Sequence, residues 1–125
     1  MRKFSKHWKS SKQKRKQRKF RFNAPLHIKR KFLSVKLSKE LKIKYKKRNI
    51  VLKKGDKVKI LRGGFRKQTG KVLKVNPKNS TVFVENMQNI RKDGTKNFYP
   101  IQASNLMLLE LNMEDKERKK VLEKK

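Results

Sequence analysis

The run from Lys54 to Val75 constrains the fold more than any other stretch. A Gly55-Asp56 turn leads into an alternating segment, with Val58 and Ile60 on one face and Lys57 and Lys59 on the other. A period of two marks a half-buried strand. Glycines follow at 63, 64 and 70 among Arg62, Arg66, Lys67 and Lys71, and a second apolar run covers Val72 to Val75. Two strands around a glycine-bearing basic loop can bring backbone close to a phosphate, because glycine lacks a Cβ and tolerates positive φ. Gly70 is expected to take such a φ. The same spacing also fits an ordinary surface hairpin whose lysines are only solvated.

Charge decides what such a hairpin can be attached to. Lys and Arg number 40 against 9 acidic residues, a net charge of +31 on 125 residues. Self-repulsion on that scale opposes compaction unless a polyanion neutralises it, and nucleic acid leads an anionic membrane surface as the candidate. Apolar residues make up 34%, below the roughly 45–50% usual for globular chains, so the core must be small. The absence of cysteine excludes disulfides, thiol nucleophiles and zinc knuckles. The longest apolar run, Leu106 to Leu109, is far short of the ~18 residues that span a bilayer. No apolar h-region follows the basic N-terminus, so a secretory signal is not expected and the cytoplasm is the default.

The basic residues are unevenly spread. Residues 1–48 hold 21 basic and 1 acidic residue, and 49–125 hold 19 and 8. The first part reads as a cationic extension, with Lys9 to Lys19 lacking structure of its own when free. Phe4, Trp8, Phe20 and Phe22 bracket that run. Rings among cations can stack on unpaired bases while the cations follow phosphates, and they fit equally well as anchors on the protein's own domain. Asn23-Ala24-Pro25 suits a helix start carrying Leu26 to Leu33, with Asn23 or Ala24 as the cap. Ser38 suits the cap of a second helix through Lys47, with Leu41 and Tyr45 on one face and Leu37 as a staple.

Residues 49–111 then read as a small barrel. Asn76 to Ser80 is a turn cluster, Thr81 to Glu85 is the best strand by composition, and Asp93-Gly94 signals a tight turn. Phe98-Tyr99 and Leu106 to Leu111 complete four or five short strands. In 112–125, Asn112 is expected to cap a solvated terminal helix with Glu114, Asp115 and Glu117 in its first turn and lysines at its end.

Catalytic chemistry is hard to build from this inventory. His7 and His27 lack an acidic or thiol partner nearby in sequence, and Gly70-Lys71 precedes a strand instead of the Ser/Thr and helix of a P-loop. No enzyme activity, cofactor, metal or small-molecule substrate is assigned.

Lys54-Gly55-Asp56, Arg62-Gly63 and Gly70-Lys71-Val72, with apolar alternation on either side, resemble the KOW motif of RNA-associated barrels. The flanks Lys16-Gln17-Arg18-Lys19, Ala24-Pro25-Leu26-His27, Leu37 to Leu41 and Lys44-Tyr45 resemble the N-terminal extension of the universal large-subunit ribosomal protein twenty-four family, in its archaeal and eukaryotic form. Tyr99-Pro100-Ile101 and Ser104-Asn105-Leu106 resemble the later strands of the archaeal version. The chain departs from that family in its loop, where the residue aligned with Lys67 is usually glycine and the one aligned with Gly64 often aspartate.

The resemblance implies a mainly β fold: an SH3-like KOW barrel with a basic N-terminal extension carrying two short helices, and a C-terminal helix. It also implies a structural role on large-subunit rRNA in early assembly, beside neighbouring ribosomal proteins near the mouth of the peptide exit tunnel and without membrane insertion. Charge, rings and loop together nominate an RNA-binding set. It comprises Arg2, Lys3, Trp8, Lys9, Lys12, Lys14, Arg15, Lys16, Arg18, Lys19 and Arg21 in the arm, and His27, Lys29, Arg30 and Lys31 in the first helix. Arg62, Gly63, Arg66, Lys67 and Lys71 complete it in the loop. The rival is a KOW-type transcription elongation factor that binds RNA polymerase, but 1–48 is too short and too cationic for the mixed α/β domain such factors carry before the motif.

Overall fold

A computed structural model describes residues 4, 5, 7, 8 and 10–123, so the nominated contacts at Arg2, Lys3 and Lys9 lie outside the described residues. In chain order the elements are α1 (Lys14–Asn23), α2 (Leu26–Lys31), β1 (Ser34–Leu37), α3 (Lys39–Tyr45), β2 (Asn49–Val51), β3 (Lys57–Ile60) and β4 (Thr69–Asn76). They continue with β5 (Thr81–Ile90), β6 (Lys96–Gln102), a 3-10 turn (Ala103–Asn105), β7 (Leu106–Glu110) and α4 (Lys116–Glu123). The fold is mainly β, with one seven-stranded sheet in the order β2-β1-β7-β3-β4-β5-β6.

The alternation around Val58 works as expected. Val58 and Ile60 are buried while Lys57 and Lys59 are half-exposed. β3 pairs antiparallel with both β4 and β7, and β1 runs parallel to β7. The register shifts between β3 and β7, between β4 and β5, and between β5 and β6. Such bulges bend strands, and here they let the sheet curl until Val35 and Leu37 of β1 join Val82 and Val84 of β5 in one core with Val58, Ile60, Leu106 and Leu108. Each fully buried side chain of this kind contributes about 1.5–3 kcal/mol of transfer free energy. Pro100 sits in β6, an outermost strand where a missing N–H is tolerated.

Gly70 differs from expectation. It lies inside β4 opposite Val58 and is not among the glycines with positive φ, which are Gly55, Gly63 and Gly94. Space demands glycine there instead. A Cβ would stand 2.8 Å from Val84 Cγ1 and 2.9 Å from the Glu85 carbonyl oxygen.

The N-terminal extension is more structured than its composition implies. Three helices and a strand precede residue 49, in place of the two helices expected. α1 covers part of the run expected to lack structure. Its stabilisation comes from rings: Phe20 stacks on Trp8 at 4.2 Å, meets Phe4 at 5.0 Å and approaches Phe32 at 6.2 Å. The cap of α2 is Pro25, whose carbonyl accepts from Ile28 and Lys29 at 3.0 Å, because Ala24 already ends α1. α2 ends before Phe32, and Leu33 drops into the core at 0% exposure to lead into β1. Ser38 does cap α3, accepting from the Leu41 N–H at 3.4 Å, but α3 stops at Tyr45, with Lys46 in the left-handed region at φ 52°.

The C-terminal helix is not simply solvated. Arg118 and Leu122 are buried at 4% and 3% exposure. The Arg118 Nη1 and Nη2 groups donate to the two carboxylate oxygens of Asp56 at 2.5 and 2.7 Å. Asp56 is fully buried and also accepts from the backbone N–H groups of Lys53 and Asn112, at 2.8 and 2.9 Å. Asn112 turns onto Glu114, and Asp115 accepts from the Glu117 N–H at the start of α4. The Gly55-Asp56 turn before the central hairpin is therefore the socket into which α4 docks.

Candidate nucleic-acid interface

The loop between β3 and β4 is short and pinned at both ends. Ile60 and Gln68 close it, with the Ile60 N–H donating to the Gln68 carbonyl and the Lys67 N–H to the Ile60 carbonyl, both at 2.9 Å. The Leu61 N–H reaches the Asn105 carbonyl at 2.8 Å, tying the loop to the 3-10 turn. Phe65 is half-buried against the core and meets Tyr99 at 5.6 Å. With Phe65 turned inward, Arg62, Gly63, Arg66 and Lys67 are left exposed around the tip. Gly63 has φ 99°, which suits glycine, but Lys67 has φ 73°, a conformation costing a side-chain-bearing residue about 1–2 kcal/mol. Lys71 is exposed but set back along β4, opposite Lys57.

α1 brings Lys14, Arg15, Lys16, Arg18, Lys19 and Arg21 onto one short helix. Every one is exposed, the first turn holds no acid, and Gln13 makes no capping bond. Like charges three and four residues apart, as at Lys14 and Arg18 or Arg15 and Lys19, oppose helix formation. A polyanion along this helix removes that penalty. Trp8 gives one face of its ring to Phe20. Phe4, Trp8 and Phe20 thus pack on one another and on Phe32 within the extension, whereas Phe22 is 68% exposed.

α2 splits its cations. Lys29 turns toward α1 and a cleft it shares with Arg18 and Arg21, whereas Arg30 faces the C-terminal segment beside Lys53, Asp115 and Arg118. Partial burial, with Arg30 and Arg118 nearby, holds Lys53 below the ordinary lysine range against the opposing pull of Asp56 and Glu117. The Lys53 ammonium is paired with Asp115, and Lys57 with Glu110 at 2.7 Å. His27 is exposed on α2. Most nominated residues therefore gather on α1, on the α1-facing flank of α2 and on the loop, linked through the 3-10 turn. Arg30 is exposed on a different flank, which also holds Glu114 and Asp115.

Sequence reasoning missed Lys78 and Asn79, which the β4–β5 turn brings up to α1, and Ser104 of the 3-10 turn. No local pattern signals them, because they meet α1 only through the sheet. Among the described residues there is no group of three His, Cys, Asp or Glu side chains placed to hold a metal, and no helix is long and apolar enough to cross a membrane.

A basic loop pinned by backbone hydrogen bonds and a cationic helix can each hold phosphates, while rings and exposed amides can meet bases. Comparison with known proteins bears on what carries those phosphates. The family model that joins the eukaryotic ribosomal protein L26 with its archaeal counterpart matches residues 11–125. The Large ribosomal subunit protein uL24 of Methanothrix thermoacetophila is 48% identical over 111 residues, covering 89% of this chain and 96% of that protein.

Proposed function

The chain belongs to the family of the eukaryotic ribosomal protein L26 and its archaeal counterpart, and from that membership we infer how its cations are used. It is a structural constituent of the large ribosomal subunit, a component of the cytoplasmic ribosome, in a family whose members are not enzymes. The alternative of a polymerase-binding elongation factor has no support, since the family match runs through the N-terminal extension as well as the sheet.

Residues 49–111 form an SH3-like barrel of KOW type that β1 of the 1–48 rRNA-binding extension completes as a seventh strand, and a C-terminal helix over 112–125 follows. Seven strands curled round one core, with the glycine-bearing loop between β3 and β4, support that architecture. The nominated set from Arg2 to Lys71 binds large-subunit rRNA in two ways. The arm supplies affinity by neutralising phosphates and releasing counterions. The pinned loop, with Arg62, Arg66 and Lys67, supplies a fixed charge pattern that one folded RNA surface can match. A site near the mouth of the exit tunnel, neighbouring ribosomal proteins as partners, and a role in early assembly follow from the family resemblance alone.

The single observation that carries the division of labour is α1: six cations in ten residues with no acid to answer them. Its test is the salt dependence of binding to deproteinised large-subunit rRNA, with and without residues 1–22. That segment has 11 basic residues and no acid. If about six meet phosphates, its removal should reduce the log–log slope by roughly 4, at about 0.7 per single-strand contact. An unchanged slope would place the contacts elsewhere.

A further inference from the structure

A cleft of about 410 Å³ separates α1 and α2 from the β4–β5 turn and the 3-10 turn. That is within the roughly 300–1,000 Å³ range of clefts that hold small ligands. Its charge is one-sided. Arg18 and Arg21 of α1, Lys29 of α2 and Lys78 of the β4–β5 turn line it, and no acid does. Four cations from three separate segments around one opening are unfavourable without an anion between them.

The remaining walls narrow down the anion. Phe22, 68% exposed, and Phe32, held against Phe20, are aromatic walls. Asn79 and Ser104 add an amide and a hydroxyl, groups that can read the edge of a base. A free phosphate would use the cations and leave the rings idle. An acidic peptide would do the same unless it also carried an apolar residue. An unpaired nucleotide uses all three kinds of wall at once, because it combines phosphate, a flat π-face and a hydrogen-bonding edge.

We propose that this cleft receives one unpaired nucleotide of the large-subunit rRNA, its base against Phe22 and its phosphates among Arg18, Arg21, Lys29 and Lys78. The proposal rests on the rRNA-binding reading above and adds a specific subsite to it. Lys78, Asn79 and Ser104 become recognition residues although they lie far from the basic extension in sequence.

The test uses the full chain and deproteinised large-subunit rRNA, with Phe22→Ala, Phe22→Trp and Lys78→Ala. Thermal melts and far-ultraviolet circular dichroism verify that each variant keeps the fold. Phe22→Ala should weaken binding at least fivefold, the low end of the ~1–3 kcal/mol that stacking one base contributes. Its salt slope should not change, and Phe22→Trp should restore affinity. Lys78→Ala should instead flatten the slope by about 0.7. Base-specific chemical probing should show one unpaired base protected by the wild type and exposed by Phe22→Ala. If both alanine variants bound with wild-type affinity and footprint, the cleft would be no nucleotide site, while rRNA binding by the arm and loop would stand. If poly-glutamate competed for the cleft better than a short oligoribonucleotide at equal ionic strength, its occupant would be an acidic protein and the proposal would fail. If the wild-type chain did not bind the rRNA at all, both readings would fall together.

Discussion

Replacing Arg118 with methionine strands the Asp56 carboxylate in the core. Of the four hydrogen bonds that this carboxylate accepts, the Lys53 and Asn112 backbone N–H groups keep two, at 2.8 and 2.9 Å. The two from Arg118, at 2.5 and 2.7 Å, are lost. Hydrogen bonds to a charged group contribute about 1.5–3 kcal/mol each, so the pair sums to roughly 3–6. Breaking one side of a buried ion pair typically costs about 3–5 kcal/mol, and the two figures agree. The side chains are 3% and 0% exposed, so solvent screens little of this. Methionine preserves much of the apolar stem, which isolates the charge from the packing. The expected loss is therefore about 3–5 kcal/mol, out of a total of roughly 5–15 for a domain of this kind. Urea denaturation would measure it, in buffer salty enough to screen the excess positive charge. Limited proteolysis should at the same time show cleavage spreading into residues 112–123. In a double-mutant cycle with Asp56→Ala, the coupling should reach about 2 kcal/mol. A cost under about 1 kcal/mol would equate the pair with a surface salt bridge and refute the docking of α4 through Asp56.

Three further outcomes follow from the hairpin. Gly70→Val should lower the melting temperature, because overpacking against Val84 and the Glu85 carbonyl costs about 1–3 kcal/mol or more even at an ordinary φ. Lys67→Gly should raise stability by up to about 1 kcal/mol in a thermal melt, relieving the φ of 73°, and should weaken rRNA binding by removing a cation. Arg66→Ala with Lys67→Ala should leave the fold intact and weaken binding to large-subunit rRNA more than to random RNA; equal losses on both in competition binding would reduce the loop to a patch of charge.

The parts of this fold legible in the sequence are those set by local periodicity. Val58 and Ile60 alternate with lysines, so β3 can be read directly, and Asp93-Gly94 announces its turn, with Gly94 at φ 81°. Ser38 announces α3 in the same way. What escapes depends on long-range partners. Ser34 to Leu37 has too few residues to show a period, and becomes a strand because β2 and β7 flank it. Arg118 looks like any other cation of a charged helix until Asp56, 62 residues earlier, is placed beneath it. Gly70 stands out in the sequence as a glycine that matters, but its constraint is the approach of β5 and not its own φ. Of the nominated site, the charge is legible but its partition is not. Only the fold turns Lys29 toward Arg18 and Arg30 toward Asp115.

The central claim is that this chain is held in the large ribosomal subunit by contacts with its rRNA. Sucrose-gradient sedimentation of tagged full-length protein in cell lysate, at graded salt, tests it most directly. The protein should travel with the large subunit and stay there at salt concentrations that strip loosely bound basic proteins, as the proposed fixed contacts of the pinned loop and packed helices require beyond the screened ones. Release at low salt to the top of the gradient, or comigration with RNA polymerase, would contradict it.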